Sequence, residues 1–201
     1  MSSSPERHVS RYLDTLIRDV ADFPEAGVVF KDITPLLADH DAFAAVIEAL
    51  ARAGRDADGR TVVDKVVGME ARGFIFAAPV ALALGAGFIP VRKAGKLPGA
   101  THDVAFSLEY GEATLQMHRD AVAPGERVLV VDDVLATGGT VAATAELVEL
   151  GGGLVSGVAV LLELSFLHGR DKIGDLPLTA LKSVPAPGDH EATSTPERGI
   201  D

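Results

Sequence analysis

The stretch Arg127-Val128-Leu129-Val130-Val131-Asp132-Asp133-Val134-Leu135-Ala136-Thr137-Gly138-Gly139-Thr140 constrains the fold more than any other part of the chain. It opens as a β-branched apolar run, the pattern of a strand buried on both faces. Two carboxylates follow, then a loop of small residues, then a segment that reads as a helix over 139–150, closed by the glycines at 151–153. A strand covered on both faces needs helices above and below it, which is the condition of a parallel sheet. The rest of the chain keeps this rhythm. Strands are expected over 62–68, 88–91, 154–162 and 178–184, with a helix over 73–84. The expected fold class is therefore α/β, a central parallel sheet flanked by helices. In such sheets ligands sit beyond the carboxyl ends of the strands, so functional residues are expected just after them.

The remaining segments are more local. Val9, Tyr12, Leu13, Leu16, Ile17 and Val20 recur at helical spacing, predicting a helix over 8–20 that Phe23-Pro24 ends. Asp41 is expected to cap a second helix carrying Phe43, Val46, Ile47 and Leu50. Residues 54–59 read as a polar loop and 94–103 as a Gly/Pro loop. Residues 104–108 and 113–117 read as the arms of a hairpin around Glu109-Tyr110-Gly111. The uncharged stretch 73–91 has nearly the length of a membrane span. Pro79, Gly85, Gly87 and Pro90 interrupt it, so a buried helix and strand are expected instead, and no membrane contact. One domain is expected over 1–184, with a disordered Pro/Ser/Thr/acid tail over 185–201.

Composition excludes several chemistries. The chain has no cysteine, which rules out disulfides, thiolate metal sites and thiol catalysis and fits a reducing compartment. Residues 1–6 lack a basic stretch followed by an apolar block, so no secretory signal is expected and the cytoplasm is the expected location. A net charge of −11 argues against a nucleic-acid partner, yet leaves room for a local basic site that takes a small anion. Histidines at 8, 40, 102, 118, 168 and 190 show no ligand spacing, and none is assigned to a metal.

The chemistry of the central stretch points to a phosphorylated sugar. A helix start offers free N–H groups and a positive dipole end, and Gly138 and Gly139 let a phosphate approach that backbone. Thr137 and Thr140 add hydroxyl donors, while Asp132 and Asp133 offer acceptors to ribose hydroxyls. The same residues also read as an acidic helix start with threonine caps. Neither a P-loop nor a dinucleotide fingerprint occurs. Elsewhere, Arg72 carries a permanent planar cation suited to phosphate or to a surface ion pair. Arg92, Lys93 and Lys96 make a basic loop hinged by Gly95 and Gly99, either a mobile lid over a polyanion or a solvated charge run. Val29, Phe30 and Leu164 are apolar enough to hold a flat ring or simply to pack the core.

The 127–140 stretch resembles the phosphoribosyl pyrophosphate (PRPP) motif of type I phosphoribosyltransferases. That resemblance implies a type I phosphoribosyltransferase fold with a small N-terminal hood, about 22–36, and a flexible β-hairpin lid, about 93–117. It further implies that Asp132 and Asp133 bind the ribose and that Ala136, Thr137, Gly138, Gly139 and Thr140 hold the 5′-phosphate. Three further segments resemble adenine phosphoribosyltransferases in particular. Val67-Gly68-Met69-Glu70-Ala71-Arg72-Gly73-Phe74 is similar to their pyrophosphate loop, where a non-proline cis peptide is common; here it would join Glu70 to Ala71. Some members carry Asp-Ser at those two positions. Ser107-Leu108-Glu109-Tyr110-Gly111 is similar to the segment supplying a general acid/base, which implies Glu109 in that role. Residues 23–33 resemble the hood over the base, with Val29, Phe30 and Lys31 beneath it and Leu164 on the other face; some members carry arginine where Lys31 stands. Glu70, Ala71, Arg72, Arg92, Lys93 and Lys96 would then face pyrophosphate. The resemblance also implies a homodimer in which Arg92 serves the neighbouring site, Mg²⁺ carried by PRPP and water, and adenine, PRPP, AMP and pyrophosphate as ligands. Another purine base, or a PRPP-binding regulator without turnover, are the alternative readings.

Overall fold

The computed structural model describes residues 4–107 and 112–186. Helix α1 (Ser4–Thr15) leads into a two-stranded antiparallel hairpin, β1 (Arg18–Ala21) and β2 (Val29–Asp32). Helices α2 (Thr34–Ala38) and α3 (His40–Ala51) follow. Then come β3 (Lys65–Met69), α4 (Arg72–Leu84), β4 (Gly87–Lys93), β5 (Thr101–Ser107) and β6 (Glu112–His118). The chain ends with β7 (Arg127–Leu135), α5 (Gly139–Leu150), β8 (Leu154–Leu164), α6 (Arg170–Ile173) and β9 (Leu178–Val184).

Seven strands form one sheet in the order β5-β6-β4-β3-β7-β8-β9. From β4 to β9 all neighbours are parallel, while β6 runs antiparallel to both β4 and β5. The sheet is thus parallel at its centre, with the antiparallel hairpin on one edge. Strand β7 shows why this arrangement forms. Its successive side chains point to opposite faces. Leu129 and Val131 join an apolar cluster with Val46, Leu50, Phe76 and Val80. Val128 and Val130 join the opposite cluster with Leu147, Val148 and Val67. Each fully buried valine or leucine contributes about 1.5–3 kcal/mol, so both helical layers are required by the same strand.

Two elements depart from the sequence expectation. The first helix ends at Thr15, not at residue 20, and Val20 pairs with Phe30 in the hairpin. Arg18 and Lys31 form cross-strand ion pairs with Asp32 and Asp19, at 2.6 and 2.7 Å. These pairs between distant residues override the helical spacing of the apolar ones. The α3 cap is Asp39 and not Asp41: its side chain accepts from the Ala42 amide at 2.9 Å, and Asp41 lies in the first turn. The uncharged stretch 73–91 is α4, a glycine turn and β4, and among the described residues no helix is long and apolar enough to cross a membrane. Of the tail expected to be disordered over 185–201, residues 187–201 lie outside the described residues, as does the hairpin tip 108–111.

Candidate active site

Strands β3 and β7 are neighbours, with Gly68 opposite Val131. Their ends therefore bring the 69–72 turn beside Asp132 and Asp133. Those two acids lie within β7, which continues to Leu135, instead of just after it as expected. A cavity of about 440 Å³ opens here, lined by residues of the hood, the 70–72 turn and the end of β7. Val29, Phe30 and Lys31 enter from one side, Glu70, Ala71 and Arg72 from another, and Asp132, Asp133, Ala136, Thr140 and Leu164 complete the wall. Residues separated by more than one hundred positions in sequence thus share one site.

Asp133 is 6% exposed, and its Oδ2 sits 2.6 Å from Arg72 Nε. The contact is an ion pair without an aligned hydrogen bond, so Oδ2 is a buried acceptor with no hydrogen-bond donor among the described residues. Such an atom is costly unless a ligand donates to it. Asp132 Oδ1 accepts from the Asp133 amide at 2.9 Å. Burial, followed by the neighbouring Asp133 carboxylate, pushes the Asp132 carboxyl well above the ordinary carboxylate range. A side chain at Gly73 would place Cβ 2.7 Å from Asp132 Oδ1, so the start of α4 is made bare where the carboxylate needs room.

Arg72 links the two halves of the cavity. Its guanidinium lies 5.2 Å from the centre of the Phe30 ring while its Nε faces Asp133. Phe30 is set by an edge-on contact with Phe23 at 5.2 Å, and Lys31 is held by Asp19 across the hairpin. The peptide between Glu70 and Ala71 is cis, as is that between Phe23 and Pro24. Glu70 organises the basic loop: it accepts from the Lys93 amide at 2.7 Å and from Arg92 Nε at 2.9 Å. Burial raises the Glu70 carboxyl, but the Lys93 amide and Arg92 outweigh it and hold the group below its usual range. Arg92 also donates to the Lys96 carbonyl at 3.2 Å.

Helix α5 begins at Gly139 after Gly138, whose φ of 81° is left-handed, and no side chain caps it. Its first N–H groups are open to an anion. Thr137 is exposed, while Gly139 and Thr140 are half-buried at the mouth of the helix. Glu109 falls outside the described residues. Sequence reading passed over Glu163, Gly169 and Arg170, which pack behind this loop. The available signal was the lone charge of Glu163 in the apolar run 154–164.

The phosphoribosyl transferase domain family matches residues 35–176. An adenine phosphoribosyltransferase of Nocardioides sp. is 65% identical over 169 residues, which cover 84% of this chain and 91% of that protein. One from Thermobifida fusca is 56% identical, covering 88% of this chain and 98% of that protein. Among solved structures, the adenine phosphoribosyltransferase of Thermoanaerobacter pseudethanolicus superposes with a TM-score of 0.81 at 48% identity, over 87% of this chain and 99% of that one. The Saccharomyces cerevisiae enzyme, complexed with an imino-altritol bisphosphate and adenine, does so with a TM-score of 0.83 at 36% identity, over 88% of this chain and 99% of that one. A pair of carboxylates, Asp133 buried and Asp132 half-buried, stands beside an uncapped helix in a fold shared along nearly the whole length of these relatives: the chain belongs to the adenine phosphoribosyltransferase family.

Proposed function

We propose that this chain salvages free adenine by joining it to the ribose of PRPP, forming AMP and releasing pyrophosphate. The observation that carries the reading is the convergence of an aromatic slot, a pair of acids and an uncapped helix start on one cavity. N9 of adenine bonds to C1 of the ribose as the bond from C1 to pyrophosphate breaks, and negative charge passes to the leaving oxygens. Val29, Phe30 and Leu164 sandwich the base, with Lys31 at the edge of the slot. Asp132 and Asp133 accept from the ribose hydroxyls, with the Asp133 carboxylate held in place by Arg72. The loop of Ala136, Thr137, Gly138, Gly139 and Thr140 holds the 5′-phosphate, and positioning the sugar at both ends lowers the barrier. Arg72, Lys93 and Lys96 stabilise the departing pyrophosphate, and Glu70 and Ala71 shape the turn that presents Arg72. Glu109 handles the base proton, a role that rests on the family resemblance of its segment.

The carboxylate oxygens of Asp132 and Asp133 are hard donors of the kind that suits Mg²⁺, which we assign as carried by PRPP and water. Bound with PRPP, Mg²⁺ would supply charge neutralisation at the pyrophosphate oxygens. The working unit we assign is a homodimer in the cytoplasm, a compartment that fits a chain without cysteine. Product formation from adenine, hypoxanthine and guanine, each with PRPP and Mg²⁺, tests the reading. AMP formed from adenine with little product from the other bases is expected. Preference for another base would overturn the adenine assignment and leave the sugar site standing.

A further inference from the structure

Glu163 and Arg170 form an ion pair that none of the roles above employs. Glu163 is 6% exposed at the end of β8, in register with Leu135 of β7 on one side and Ser183 of β9 on the other. Its position is thereby fixed by two neighbouring strands. Arg170 opens α6 and places Nε on one carboxylate oxygen and Nη2 on the other, the latter at 2.8 Å. This is the two-pronged geometry that holds a guanidinium in orientation as well as in distance. Between the partners runs a tight segment, a 3-10 turn over Ser165–Leu167 followed by His168 at a left-handed φ of 52°. Ser165 Oγ ties its start to the Val184 carbonyl at 3.1 Å, and Arg170 ties its end.

Gly169, next to Arg170, touches the phosphate loop through bare backbone. A Cβ on Gly169 would lie 2.3 Å from the Ala136 carbonyl and 3.1 Å from the Gly138 amide. In return, a Cβ on Gly138 would lie 2.3 Å from the Gly169 carbonyl and 3.1 Å from Lys172 Cβ. The two segments can approach this closely only because both positions are glycine, and any shift of one must be taken up by the other. We propose that the Glu163–Arg170 pair is the brace of the 5′-phosphate loop: it positions residues 136–140 through Gly169 and so sets the affinity for PRPP and AMP without touching either ligand.

The proposal rests on the assignment of 136–140 to the 5′-phosphate, and a control variant separates the two. Because the phosphate is held alike before and during the reaction, a displaced loop raises KM for PRPP with little change in kcat. In the full chain, Arg170→Gln is expected to raise KM for PRPP about tenfold and weaken AMP binding by a similar factor, with KM for adenine within about twofold. Arg170→Lys, which keeps the charge but not the fork, should recover part of the loss. Should Arg170→Gln fail to fold, the double variant Glu163→Gln with Arg170→Gln leaves no buried charge unpaired and carries the same expectation. A folded variant with unchanged KM for PRPP, or with both KM values raised equally, overturns the brace. Thr140→Ala is the control: if it raises KM for PRPP while the Arg170 variants do not, the brace alone falls, and if it has no effect, the loop assignment and the brace fall together.

Discussion

Asp132 and Asp133 stand side by side at the end of a buried strand, where two like charges oppose each other and both resist leaving water. Arg72 offsets the charge of Asp133 at 2.6 Å, and the Asp133 amide eases that of Asp132 at 2.9 Å. The remainder is a carboxyl at Asp132 whose titration is pushed well upward, first by burial and then by Asp133. The unfolded chain sheds this proton near the ordinary value, about 4, whereas the folded chain still holds it. Stability therefore falls as pH rises from that value toward the raised one. Asp132→Asn removes the titration while keeping an oxygen to accept from the Asp133 amide. It is expected to raise the melting temperature by about 2–4 °C at neutral pH, and by less at pH near 5. At the same time kcat/KM for PRPP should drop about tenfold or more, because a ribose acceptor is lost. Melting curves at both pH values, paired with steady-state kinetics, check this. An equal gain at the two pH values would remove titration as the cause.

The hood shows the same logic at the level of an element. A two-stranded hairpin is marginal by itself, so something must hold β1 and β2 together. Asp32 does so: its oxygens accept from the Thr34 hydroxyl at 2.7 Å, the Thr34 amide at 2.9 Å and Arg18 Nη2 at 2.6 Å. These contacts, the Thr34 hydroxyl foremost, lower its pKa to about 2. The anchoring is present above the ordinary carboxylate value and is lost as pH falls through about 2. Asp32→Asn should imitate that loss at neutral pH. Amide exchange over 18–32 is expected to quicken about tenfold while β7 keeps its protection, as hydrogen-exchange mass spectrometry would show. Unchanged exchange would mean that backbone pairing alone holds the hairpin. The hood also marks the limit of what the sequence discloses. The runs that became β7 and β8 were legible because a strand buried on both faces must be largely apolar, and the bounds of α5 were legible from the glycines at its two ends. The hairpin was not, because its strands are joined by Arg18 with Asp32 and Asp19 with Lys31, pairs more than ten residues apart that no local spacing encodes. The site divides in the same way. Asp132, Asp133 and the loop after them form one contiguous signal, while Glu163 and Arg170 acquire meaning only once Gly169 is seen against Ala136.

At the scale of the molecule, a chain of net charge −11 binds a highly anionic substrate, so its few cations must be concentrated where they act. Arg72 stands at the cavity, Glu70 holds Arg92 and the Lys93 amide beside it, and Arg92 in turn holds the Lys96 carbonyl. Within one chain Arg92 is committed to Glu70 and to the Lys96 carbonyl, yet its side chain remains 36% exposed and able to meet a second subunit. A shared site makes a distinctive prediction for mixtures. For the homodimer proposed above, the Arg92→Ala and Asp133→Ala variants should each lose most activity. Mixed dimers formed by unfolding and refolding the two variants together would contain one site that combines an intact Asp133 from one subunit with an intact Arg92 from the other. If Arg92 acts across the interface, that site is whole, and each mixed dimer should recover up to about half the activity of the unaltered enzyme. If Arg92 serves its own chain, every site in the mixture lacks one of the two groups and no activity returns. Activity that rises with the fraction of mixed dimer, measured against refolded controls of each variant alone, therefore distinguishes an arginine shared between subunits from one that only orders its own loop.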